Sequence, residues 1–188
     1  MAVAARRDAS MSVAEYRIWV EAKPDWERWE LLDGVPVLMS PPRERHQMIV
    51  SNLLRRLGDL ADRRDCRALP GLAILSEAMD DFAPIPDVVV RCGPMGADGY
   101  ASDPLLVAEV LSPSTLTIDR GRKTDFYMTV ASLRYFLVVY QREPRIEVWH
   151  RSDAGDWITD VFGPGDGIAL PELGGALPVD DVYASMTF

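Results

Sequence analysis

Two strand-length apolar runs each carry a single acid: Ile85-Pro86-Asp87-Val88-Val89-Val90 and Leu105-Leu106-Val107-Ala108-Glu109-Val110-Leu111. Both lack the polar alternation of a half-exposed strand, so both read as strands buried on two faces. An acid in such a run is costly. Burying an unpaired charge costs several kcal/mol, or it shifts the pKa until the group is neutral. Pro86 cannot donate to a sheet ladder and favours a strand start, which puts Asp87 at the beginning of its strand. Glu109 lies inside its own. If the two strands are neighbours, the carboxylates converge, and one pKa rises unless a cation sits between them.

A divalent cation meets that demand. Mg²⁺, or Mn²⁺ in its place, takes a few carboxylate and carbonyl oxygens and fills the remainder with water. Asp87, Glu109 and the backbone carbonyl of Val110 are the expected ligands. Such an ion polarises a phosphoryl group and acidifies a bound water, so the pattern points to phosphodiester hydrolysis. The plainer alternative is that Asp87 caps a turn and Glu109 pairs with an arginine such as Arg91. Lys123 tips the balance toward chemistry. It follows Glu109 by 14 residues, near the start of an expected helix, with Arg120 and Arg122 beside it and Tyr127 one turn further on the same face. A lysine there would orient the attacking water or offset charge on the phosphate. Its alternative is a solvated charged helix face. Glu30, between apolar neighbours in Trp29-Glu30-Leu31-Leu32, is a further candidate; its alternative is an acid on an edge strand facing water.

The rest of the chain predicts a mixed α/β (α+β) fold. Residues 1–11 read as a flexible arm and 12–188 as one domain. Ser12-Val13-Ala14-Glu15 is a capping box that opens a short helix, stopped by Pro24. Arg28 to Leu32 and Val35 to Met39 flank Asp33-Gly34, a strong hairpin signal. The longest helix runs from about Arg43 to Arg64, with an apolar stripe through Ile49, Leu53, Leu57 and Leu60. Short strands follow at Cys66 to Leu69 and Leu72 to Leu75, then the first acid-bearing run. Gly93 to Asp103 reads as a loop. After the second run come a helix over about Arg120 to Val130 and strands at Tyr135 to Tyr140, Ile146 to His150, Trp157 to Phe162 and Ile168 to Leu170. A helical turn is expected over Asp180 to Ser185. The order implies a central mixed sheet flanked by helices.

Charge and composition narrow the function. The formal charge is −9, whereas proteins that neutralise many phosphates are usually basic. Contact with nucleic acid would have to be local, through a basic patch, a metal or a dimer groove. Only two histidines, His46 and His150, are present and they are far apart, which argues against a histidine metal site. His46 could touch phosphate but reads more simply as a boundary residue. Ser112 and Ser114 lack a His–Asp partner set, and no phosphate-cradling glycine loop occurs. Cys66 and Cys92 show no zinc spacing and read as reduced, buried thiols. With no signal-peptide pattern and no run of about 18 apolar residues, a cytoplasmic protein with no membrane partner is expected.

Taken together, Glu30-Leu31-Leu32-Asp33-Gly34, Met39-Ser40-Pro41, His46, Pro86-Asp87-Val88-Val89-Val90, Glu109-Val110-Leu111-Ser112-Pro113-Ser114-Thr115, Asp119-Arg120, Lys123, Tyr127 and Tyr135 resemble the Uma-type restriction endonuclease family. That family belongs to the PD-(D/E)xK, or restriction-endonuclease-like, superfamily. The resemblance spans about residues 12–185. It implies a central mixed sheet flanked by helices, with an N-terminal helix and hairpin and a metal site at a sheet edge. It also implies that Asp87 and Glu109 bind Mg²⁺, that Glu30 is an additional acid, and that DNA is the substrate. Homodimers often accompany such a resemblance. The superfamily's usual lysine falls two residues after the second acid, where this chain has Leu111, so Lys123 on the following helix is the matching cation. Two alternatives to an endonuclease stand: a catalytically silent binding or structural protein of the same fold, and a metal-dependent hydrolase acting on something other than nucleic acid.

Overall fold

The computed structural model describes residues 10–96, 98–111 and 119–188, and the side chains of all of these except 119 and 120. The first elements are set by local chemistry. Helix α1 (Val13–Glu21) starts at Ser12, whose side chain accepts from the Glu15 N–H while the Glu15 carboxylate accepts from the Ser12 N–H. Strands β1 (Trp29–Leu32) and β2 (Val35–Leu38) pair antiparallel across Asp33-Gly34. Both turn residues have positive φ, 49° and 71°, as the tight hairpin turn requires. A Cβ on Gly34 would also collide with the Ser10 hydroxyl.

The sequence then supplies α2 (Glu44–Ala61), β3 (Cys66–Pro70), β4 (Ala73–Ile74), β5 (Val88–Cys92), β6 (Tyr100–Ala101) and β7 (Pro104–Leu111). Helix α3 (Asp119–Thr129), β8 (Tyr135–Tyr140), β9 (Ile146–Arg151), β10 (Trp157–Phe162), β11 (Gly167–Leu170), β12 (Gly175–Pro178) and the short α4 (Val179–Val182) complete it. Six strands form the central sheet in the order β10-β9-β8-β7-β5-β3. Only β7 and β8 within it are parallel, joined by the crossover that contains α3; the other neighbours are antiparallel.

Both faces of the sheet are covered, which is why its strands read as continuous apolar runs. On one face Val88, Val90, Leu106, Ala108, Leu137 and Val139 pack with Ile49, Leu53 and Leu57 of α2 and with Ile168, Leu177 and Val182. On the other, Val89, Val107, Phe136 and Val138 pack with Phe126, Tyr127 and Val130 from α3 and its end. A third cluster, Met11, Tyr16, Leu31 and Ala83, seats α1 and the hairpin. Each fully buried leucine or phenylalanine contributes about 1.5–3 kcal/mol of transfer free energy.

Three expectations are corrected. The cysteines are not free thiols: Cys66 and Cys92 are cross-strand register partners of β3 and β5 and form a disulfide. A separation of 26 residues carries no register information, so the pairing was invisible in the chain. The 93–103 stretch is not all loop, because Tyr100–Ala101 pairs parallel with β4. Strand β12 was also unforeseen; it forms because it can pair antiparallel with β11. No helix among the described residues is long and apolar enough to cross a membrane.

Candidate active site

Register brings the two acids together. Strands β5 and β7 are antiparallel with Val88 opposite Ala108, so Asp87, just before β5, falls opposite Glu109. The Val110 N–H donates to Asp87 Oδ2 at 2.7 Å, which fixes the Asp87 side chain against the last turn of the β7 ladder. The hairpin is drawn to the same place. Leu31 forms a two-way backbone bridge with Ala83, and the Ile85 N–H points at Glu30 Oε2 from 3.4 Å. Glu30 therefore faces inward, with its side chain 9% exposed, rather than toward water.

Helix α3 supplies the cation. Lys123 Nζ lies 2.9 Å from Glu30 Oε2 and 3.4 Å from Glu109 Oε1, and its side chain is 11% exposed. One turn on, the Tyr127 hydroxyl donates to Glu109 Oε1 at 2.7 Å. Lys123 is thus no solvated face residue: it sits under the sheet end with two carboxylates around it. Arg122, its neighbour, turns outward and pairs with Asp33.

His46 belongs to the same group, and the sequence reading left it at the boundary. From the first turn of α2 its Nε2 lies 3.3 Å from Asp87 Oδ2. Its Nδ1 is buried without a hydrogen-bond partner among the described residues. A histidine near a helix start was visible; that the helix start lies over Asp87 was not.

The electrostatics follow from crowding. Burial pushes the Glu109 carboxyl up to about 7; Lys123 works against that shift, Asp87 and Glu30 add to it, and Tyr127 opposes it. Burial and Glu109 push the Tyr127 hydroxyl well above its ordinary range, so it stays a donor. Burial disfavours the His46 cation, but its hydrogen bond to Asp87 and the nearby charges of Asp87 and Glu109 outweigh this and raise its pKa.

Other expectations sort cleanly. The alternative partner for Glu109 is not used, because Arg91 pairs with Asp103. Leu111 packs with the cluster under α3, so no cation occupies the superfamily's usual lysine position. Ser112 to Thr115 and the 1–9 part of the expected arm lie outside the described residues, as do the side chains of Asp119 and Arg120. Among the described residues no three His, Cys, Asp or Glu side chains are grouped as a metal site. Two carboxylates and a backbone carbonyl remain, all hard oxygen donors of the kind Mg²⁺ accepts alongside water. Burial is the first cause of the raised Glu109 pKa and the Asp87 and Glu30 charges add to it; a cation placed among such acids would act against that shift.

A six-stranded mixed sheet between helices, with acids gathered where β5 begins and β7 ends, defines the restriction-endonuclease-like fold class. The chain shares that fold with the crystal structure of a "putative nuclease belonging to DUF820" from Anabaena variabilis, with a TM-score of 0.74 and 17% identity over 93% of this chain and 98% of that one. Residues 13–179 match the Uma2 family, described as "Putative restriction endonuclease", and the chain belongs to that family. Relatives include the uncharacterized protein slr1290 of Synechocystis sp., 29% identical over 95% of this chain and 94% of its own. A second uncharacterized Synechocystis protein, sll1609, is 27% identical over 73% of this chain and 80% of its own.

Proposed function

We propose that this protein is a Mg²⁺-dependent endonuclease that hydrolyses DNA phosphodiester bonds where Asp87, Glu109 and Lys123 meet. One observation carries the reading: a nearly buried lysine lies 2.9 Å from Glu30 and 3.4 Å from Glu109, with a third acid, Asp87, opposite Glu109. The family's description as a restriction endonuclease and the nuclease title of the structural neighbour support nucleic acid as the substrate class.

Asp87, Glu109 and the Val110 carbonyl would hold the ion. The Tyr127 and Lys123 contacts of Glu109 both fall on Oε1, and the Val110 and His46 contacts of Asp87 both fall on Oδ2. Among the described residues, the other oxygen of each carboxylate carries none of these contacts and would face the metal. When bound, Mg²⁺ supplies Lewis acidity at the phosphoryl oxygen and a more acidic water. The chain's own residues do the remainder. Glu30 anchors the Lys123 ammonium. Lys123 hydrogen-bonds the attacking water or a phosphoryl oxygen and offsets the negative charge that develops there. Tyr127 holds the Glu109 carboxylate in one orientation, and His46 with the Val110 N–H does the same for Asp87.

The test is calorimetric titration of Mn²⁺ into wild type and Asp87→Asn, alone and with a DNA duplex present. Binding that is lost in the variant supports the site. Wild type that takes no metal in either condition removes the metal-dependent reading and leaves a non-catalytic member of the fold.

A further inference from the structure

Resting on the nuclease reading, we infer that Arg145 is a binding site for a backbone phosphate flanking the scissile bond. The argument begins with register. Glu109 of β7 lies opposite Val138 of β8, and Val138 lies opposite Glu147 of β9. Residues opposite one another share a sheet face, so Glu147 stands in the same row and on the same face as Glu109. Two strand spacings separate them, about 10 Å.

Glu147 is a second acid in that row, with its side chain 6% exposed, and it pairs with Arg145. Its Oε1 accepts from Arg145 Nη2 at 2.7 Å and from the Tyr140 hydroxyl at 2.7 Å. The Arg145 guanidinium also lies over the Tyr140 ring, 4.8 Å from its centroid. The turn that carries it is pinned from below: the Tyr183 hydroxyl lies 2.6 and 2.9 Å from the Arg145 and Tyr140 carbonyls, within reach to donate its one proton to either. Yet the Arg145 side chain is 40% exposed. Its Nη1 lies 3.8 Å from the exposed Glu143 carboxylate, so the guanidinium is anchored by Glu147 on its buried side and only loosely paired on its open one.

A buried ion pair is a poor way to gain stability, because desolvation of the acid offsets the attraction. Holding an exposed guanidinium in one orientation is a better account of Glu147. Planar guanidinium groups match phosphate oxygens, and a stacked, anchored one loses little rotamer entropy on binding. A nucleic-acid strand rises about 3.4 Å per nucleotide, so about 10 Å from Glu109 reaches a phosphate within a few nucleotides of the cleaved one. In a chain of charge −9, such a fixed cation beside the acids is the local contact that nucleic acid requires. The contact is to the backbone and carries no base information.

The experiment is fluorescence anisotropy of a short labelled DNA duplex, with Ca²⁺ replacing Mg²⁺ so that the probe persists, across a salt series. Arg145→Ala should weaken binding about tenfold at low salt, the value of one charge-assisted contact. It should also reduce the slope of log K against log salt by about one phosphate's worth. Arg145→Met with Glu147→Gln removes both charges at similar volume, so no acid is stranded, and should show the same reduced slope. Arg145→Lys should fall between. Wild-type binding with an unchanged slope in both Arg145→Ala and the double variant overturns the phosphate site alone. So does wild-type affinity recovered in the double variant, because Arg145 would then only neutralise Glu147. Wild type that does not bind the duplex at all overturns the nuclease reading along with it.

Discussion

Replacing Glu109 with glutamine should stabilise the metal-free protein, and by more as pH rises. The side chain is 14% exposed, and its pKa stands at about 7 against an ordinary 4.5. A raised carboxyl pKa means that the native state holds the proton more tightly than the unfolded chain does. The stabilising contribution is therefore intact below 4.5, shrinks as pH rises and is lost above about 7. That gap corresponds to on the order of 3 kcal/mol at about 1.36 kcal/mol per unit. Glutamine keeps the shape and an oxygen acceptor for Tyr127 and Lys123 but never ionises. Glu109→Gln should thus be more stable than wild type by about 1 kcal/mol near pH 5.5 and about 3 kcal/mol near pH 8.5. Urea unfolding followed by tryptophan fluorescence, with chelator present, reads both values. Saturating Mg²⁺ should close the difference, since metal stabilises only the native state that binds it. If Glu109→Gln is the less stable protein near pH 8.5, the Lys123 ion pair outweighs the desolvation of Glu109 and the reasoning fails.

Further outcomes follow from the same geometry. Lys123→Ala should leave Mn²⁺ binding in place but slow an established DNA cleavage by about 10²-fold or more, the loss typical of removing one transition-state charge contact; unchanged single-turnover rates would refute its role. Metal affinity should rise as pH increases through about 7, because Glu109 must give up the proton that its raised pKa retains; calorimetry in buffers of differing ionisation enthalpy should detect proton release. Reducing the Cys66–Cys92 bond should lower stability by about 3 kcal/mol, the chain-entropy value for the loop it closes, and thiol titration of the unreduced native protein should find no free cysteine.

The hairpin, the capping box and the two buried strands were legible because each depends on neighbours a few residues away. Asp33-Gly34 can only turn, and Ser12 with Glu15 can only cap. Asp87, Glu109 and Glu30 could be picked out because charges inside apolar runs are anomalous wherever they occur, whereas Lys123, in a charged stretch, stood out only by its spacing from Glu109 and by the resemblance. His46 carried no such anomaly. It sits among exposed helix positions, and only the docking of α2 across the sheet end puts its ring on Asp87. Arg145 was equally silent, since a turn arginine looks the same whether or not a buried acid two strands from Glu109 holds it. The two-residue β4 and β6 were missed in pairing for the same cause: neither has any length from which to read a period.

What the chain determined by itself was the set of elements, the faces they bury and the presence of acids that needed a cation, since propensity, periodicity and desolvation cost act over a few residues. Strand order, the register that sets Asp87 opposite Glu109 and Cys66 against Cys92, and the approach of Lys123, His46 and Arg145 to that sheet end were decided only in the tertiary structure. These depend on how two covered faces pack at once, and a one-residue slip in any strand would send every one of its side chains to the opposite face.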